Sequence, residues 1–177
     1  QSYSHTCQLT FFVKIIGFSG WLIDIIRKSE EDRPVSDLIF PRSPREVMAG
    51  WVWLPRLVHT IRLHIAGRLH TDYQPNFCVK GFDKAWLDAA GVEGEAFIDT
   101  VRNTNTDGEV CDWVRVHAPG DAATRTAFRD KMENYGRDES DTELRALLQQ
   151  RKKDNGLADR EDIQCFVDFI DADEQRL

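Results

Sequence analysis

The chain has 177 residues, 41% of them hydrophobic and 30% charged, and a formal net charge of −7 at pH 7. This length fits one domain with an adequate core, and the composition is that of a soluble globular protein. The acidic balance speaks against nucleic acid or anionic membrane as the main partner, because both attract a dominant positive field.

Residues 9–26, LTFFVKIIGFSGWLIDII, are strongly apolar, but Lys14 and Asp24 interrupt the run and no basic start or small-residue cleavage site accompanies it. It is a poor signal peptide and a marginal membrane span. Residues 1–38 are therefore expected to form an N-terminal extension, non-native or loosely attached, with an optional helix and a linker at SEEDRP (29–34). The domain proper is expected to span residues 39–177. From Pro41 onward the signals are helical. Ser43-Pro44-Arg45-Glu46 matches a capping box with Pro at the first helical position, and Pro55 ends or kinks that helix and can open another. Leu54, Val58, Ile61, Ile65 and Leu69 form a stripe at helical spacing, with Arg62 and Arg68 beside it. Arg56, His59, Thr60, Leu63 and Gly67 lie opposite, so this helix is expected to be covered on two sides and central. Trp51 and Trp53 are two residues apart and cannot share one helical face, which predicts that one of them is exposed or lines a cleft. Gln74–Lys80 reads as the one extended piece.

Six further helices are predicted in series. Asp83 caps one that ends at Gly91, and a second covers Glu95–Arg102. Thr106-Asp107-Gly108-Glu109 is a capping box leading to Val110, Trp113 and Val114. Asp121–Tyr135 and residues 141–152 follow, before a last helix capped by Asp159 with Ile163, Phe166, Val167 and Ile170 on one face. The fold class is all-α: a single compact multi-helix bundle. The stretches PRSPRE, LPRL, HIAGRL, LDAAGV, HAP, DREDI and DFIDADE occur in an order that resembles a bacterial family known as domain of unknown function 5069. The resemblance covers about residues 40–177 and implies no assigned activity.

The charge is uneven. Residues 41–70 hold five arginines (Arg42, Arg45, Arg56, Arg62, Arg68) against the one acid Glu46, whereas residues 71–177 hold 14 basic and 24 acidic residues. Internal pairing with later carboxylates and a site for an anion are both consistent with that pattern. Arg56, His59 and Arg62 are the ligand-binding candidates, able to hold a carboxylate or phosphate. His64, Asp72 and Tyr73 are the weaker catalytic candidates, as acid–base groups near the end of the same helix. No nucleophile elbow, phosphate loop or dinucleotide fingerprint occurs. The four cysteines, Cys7, Cys78, Cys111 and Cys165, lack metal-ligand spacing, so no metal or cofactor is expected, and buried free thiols in a cytoplasmic setting are.

Asp168, Asp171, Asp173 and Glu174 crowd what reads as the end of the last helix, where acids oppose the macrodipole. Docking of that end on the basic stretch is the expected remedy, with Arg62 or Arg68 meeting Asp168. The functional expectation is a binding or accessory module for an acidic small molecule or protein partner. A cofactor-free enzyme for a small anionic substrate and a structural or oligomerising protein are the alternatives.

Overall fold

The computed structural model describes residues 39–118 and 120–177. The predicted N-terminal extension and its helix lie outside them. Among the described residues the fold is all-α, with seven α-helices, one 3-10 helix and a two-stranded hairpin.

The hairpin stands where a helix was expected. β1 (Val47–Met48) pairs antiparallel with β2 (Trp51–Val52), Met48 opposite Trp51. Ala49 (φ 50°) and Gly50 (φ 82°) form the connection, and positive φ at both central residues is the condition for a tight turn that matches strand twist. The capping-box residues have other partners. The Ser43 hydroxyl donates to Asp171 Oδ2 at 2.9 Å, and Glu46 accepts from Arg42 Nε at 2.7 Å.

The extended hairpin also removes the helical constraint on its tryptophans. Contrary to the expectation, both are buried, Trp51 at 1% exposure and Trp53 at 7%. Trp53 sits at φ 67°, unusual for a bulky residue, and is fixed from two sides. Its backbone N–H donates to the Pro44 carbonyl at 3.2 Å, and its indole N–H donates to Asp83 Oδ1 at 2.8 Å.

α1 (Leu54–Ile65) starts directly after Trp53, with Pro55 in its first turn. Leu54, Leu57, Val58 and Ile61 are buried on one side, and Arg56, Thr60 and Leu63 on the other, so both faces are covered. The helix ends earlier than the apolar stripe suggested. Gly67 (φ 65°) turns the chain so that Arg68 N–H returns to the Leu63 carbonyl at 2.8 Å, leaving Ile65 exposed. Residues Thr71–Asn76 form the 3-10 helix, where an extended piece was expected. Pro75 removes one donor there and the turns are short.

α2 (Gly81–Ala90) ends at Gly91 in the left-handed region, as read from the sequence. Asp83 is not its cap. It lies in the first turn, buried, accepting from Trp53 and from the Cys78 N–H at 3.1 Å. α3 (Gly94–Arg102) and α4 (Asp107–His117) follow, α4 opened by the complete Thr106–Glu109 capping box. α5 (Ala122–Asn134) is capped by Asp121 and α6 (Thr142–Asp154) by Asp141.

α7 (Phe166–Asp173) begins seven residues after the predicted cap Asp159. Its start is fixed by Asp168, whose Oδ2 accepts from the Gln164 and Cys165 N–H groups at 2.9 and 3.1 Å. Asp168 therefore sits in a first turn, where the dipole favours an anion, not at a helix end.

The main core joins the hairpin to α1–α5 and α7. Trp51 meets Trp86 and Phe128 edge-on at 5.8 and 5.9 Å, and Trp86 lies 4.9 Å from Phe97. A smaller cluster of Leu148, Ile163 and Ala172 ties α6 to α7. Lys152 is buried beside it and donates to the Arg160 carbonyl at 2.7 Å.

Candidate functional site

α1 carries the basic residues singled out in the sequence. Arg56 is 4% exposed and Glu174 5%. Arg56 Nη1 donates to Glu174 Oε2 at 2.8 Å and Nη2 to Oε1 at 2.5 Å, a bidentate pair. Nη1 also donates to the Arg42 carbonyl at 2.8 Å. The guanidinium lies 5.3 Å from the Trp53 ring and 5.7 Å from that of Tyr73. Tyr73 donates its hydroxyl to Glu174 Oε1 at 2.6 Å, and Arg176 bonds both Glu174 and the Pro41 carbonyl. This clasp closes α7 and the residues after it onto α1 and the first described segment.

Burial works against the Glu174 charge, but the Arg56 hydrogen bonds and charge outweigh it, so its pKa lies below the usual carboxylate value. Burial and the Glu174 carboxylate push the Tyr73 phenol well up, which keeps its proton in place as the donor.

The acids of α7 dock on the basic stretch, as expected, but through other arginines. Arg45 pairs with Asp168 and lies 3.6 Å from Asp171, and Arg137 lies 3.7 Å from Asp168. Arg62 instead donates to Asp107 Oδ1 at 2.6 Å, and Arg42 reaches Asp107 Oδ2 at 2.7 Å. A double-mutant cycle on Arg62 and Asp107 should give a coupling of about 0.2–1 kcal/mol in urea denaturation, the range for partly exposed pairs. The Arg62–Asp168 cycle should give none. Equal coupling in both would contradict this assignment.

His59 and Arg62 stand one turn apart on α1. His59 Nδ1 and Arg62 Nη2 are both buried and have no hydrogen-bond partner among the described residues. Burial, and then the charges of Arg42, Arg62 and Arg56, lower the His59 pKa, so the ring is neutral at pH 7. Asp107 accepts from both arginines, and these bonds outweigh its partial burial and hold its carboxyl below the usual range. The arrangement is two arginines on one carboxylate beside a neutral imidazole, with two nitrogens unused among the described residues.

The three weaker candidates are not joined by hydrogen bonds among the described residues. His64 is exposed with its ring stacked on Phe77 at 4.2 Å. Asp72 is exposed and lies 3.4 Å from His70 Nδ1, while Tyr73 belongs to the clasp. Sequence reasoning missed Arg42, Asp107 and Arg176 as partners. The segmental charge count was the signal for such pairs, but it names no particular one.

Fold and site together define a small helical protein whose basic central helix is bound by carboxylates from distant parts of the chain. The chain belongs to the family described as domain of unknown function (DUF5069), whose model matches residues 39–176. No curated protein matches it. No helix of the described residues is long and apolar enough to cross a membrane.

Proposed function

We propose that the protein is a binding or accessory module for a small anionic molecule, held at His59 and Arg62 with Arg42 alongside. The observation that carries this reading is the pair of buried nitrogens, His59 Nδ1 and Arg62 Nη2, that have no hydrogen-bond partner among the described residues. A buried donor without an acceptor costs about 1–3 kcal/mol, and an anionic oxygen bonded to it would recover that cost. Of the three residues first considered, Arg56 has its donors engaged by Glu174 and main-chain carbonyls, which leaves His59 and Arg62.

An anion beside His59 favours the imidazolium, so binding should take up a proton near neutral pH. The test is a thermal-shift screen of phosphorylated and carboxylated metabolites, followed by calorimetry of any hit in buffers of different ionisation enthalpy. A hit at 100 times its Kd should stabilise the protein by about 2.7 kcal/mol. Arg62→Gln and His59→Gln should each weaken it at least about tenfold, and His59→Gln should abolish proton uptake. A screen with no stabilising compound, or hits indifferent to both substitutions, would refute the proposal.

Other readings have less support. His64, Asp72 and Tyr73 form no catalytic constellation, and Leu63 and Trp53, the residues that would mark an oligomer face, are buried within the chain. The free thiols of Cys78 and Cys165, both buried, support a reducing, cytoplasmic location.

A further inference from the structure

α2 and α5 pack against each other. Ala85 and Ala89 on α2 and Ala127 on α5 leave an open groove of about 680 Å³ whose wall includes Phe128. Three lysines line it: Lys80 and Lys84 along α2, and Lys131 across on α5. The lining includes one acid, Asp88, which pairs with Lys84. Neither Lys80 nor Lys131 has a carboxylate within 4.0 Å among the described residues. A net positive groove on a chain of charge −7 is a local reversal of sign, and a concave surface concentrates that field.

We infer that this groove binds an amphipathic organic anion, with its carboxylate or phosphate between Lys80 and Lys131 and its apolar body over Ala85, Ala89 and Phe128. The groove is open to solvent, with an apolar floor and a few cationic groups around it. Lysine suits the role: it offers three donors on a flexible stem, and the stem adds apolar surface beside the charge. The inference is independent of the His59–Arg62 reading, since the two sets of residues do not overlap.

The experiment is an isothermal titration of the full chain with three probes: 1-naphthoate, the neutral 1-naphthalenemethanol and inorganic phosphate. Naphthoate should bind saturably at one site, at least about tenfold more tightly than either other probe, and more weakly as salt is raised. Lys80→Gln with Lys131→Gln should weaken naphthoate at least about tenfold, and Ala89→Leu, which fills the groove, should do the same. Arg62→Gln should leave the naphthoate affinity unchanged. Absence of saturable binding, equal affinity for the neutral alcohol, or equal affinity in the double-lysine variant would overturn the inference. Loss of naphthoate binding in Arg62→Gln would place the probe in the other site and also overturn it.

Discussion

Glu174→Gln is expected to destabilise the protein by about 3–5 kcal/mol at pH 7, the cost of leaving a buried charge without its partner. The substitution keeps the side-chain volume but removes the charge and turns one acceptor oxygen into a donor, so the loss reads the Arg56 pair together with the Tyr73 and Arg176 bonds. It should appear as a lower urea midpoint at unchanged m-value. The double substitution Arg56→Met with Glu174→Leu should be less destabilised than Glu174→Gln, because no isolated charge remains.

Acid removes the same charge by protonation. The folded-state pKa of Glu174 lies below its ordinary 4.5. Its contribution is therefore complete above pH 4.5, declines as pH falls below that value, and is gone beneath the folded pKa. The gap between wild type and Glu174→Gln should narrow over that interval. Asp83, raised by burial, acts in the other direction, but it is common to both proteins and cancels from the difference. A gap under about 1 kcal/mol at pH 7 would show that the clasp does not hold the fold.

Trp51→Ala should cost about 3–5 kcal/mol, the range for removing a buried large aromatic. Trp51 ties the hairpin to α2 and α5 through Trp86 and Phe128. The space around it is tight: a Cβ added at Gly120 would lie 2.5 Å from the Trp51 ring. Gly120→Ala should therefore destabilise as well, whereas Val47→Ala, at the exposed end of the hairpin, should change stability by less than about 0.5 kcal/mol. Guanidinium unfolding of the three variants checks the ranking. A Trp51→Ala loss no larger than that of Val47→Ala would contradict this packing.

The elements legible in the sequence were those whose signals are local. Pro55, Gly91, Thr106 with Glu109, and Asp121 each fix a helix boundary through bonds or φ preferences within a few residues, and each boundary falls where those residues place it. The failures arose where a distant partner claimed a local signal. Ser43 and Glu46 satisfy the capping-box pattern, yet Asp171 takes the hydroxyl and Arg42 the carboxylate. Asp168 lay at a helix end by periodicity, yet it caps the helix that Asp159 was expected to start.

The site shows the same division. That the arginines of residues 41–70 need carboxylates was visible in the charge count. Which carboxylate meets which arginine was not, because Arg56 and Glu174 are separated by 118 residues and Arg62 and Asp107 by 45. Spacing along one helix likewise ranks Arg56 with Arg62. Only the packing separates an arginine already engaged from one with a spare nitrogen.

The clasp also orders events during synthesis. Arg56 and the carbonyls of Pro41 and Arg42 leave the ribosome early, while Glu174 and Arg176 leave more than a hundred residues later. Until those last residues emerge, Arg56 lacks its carboxylate, and burying it would leave a guanidinium unpaired. The domain is thus expected to close only after translation has passed residue 176, and to depend until then on whatever shields a half-made chain.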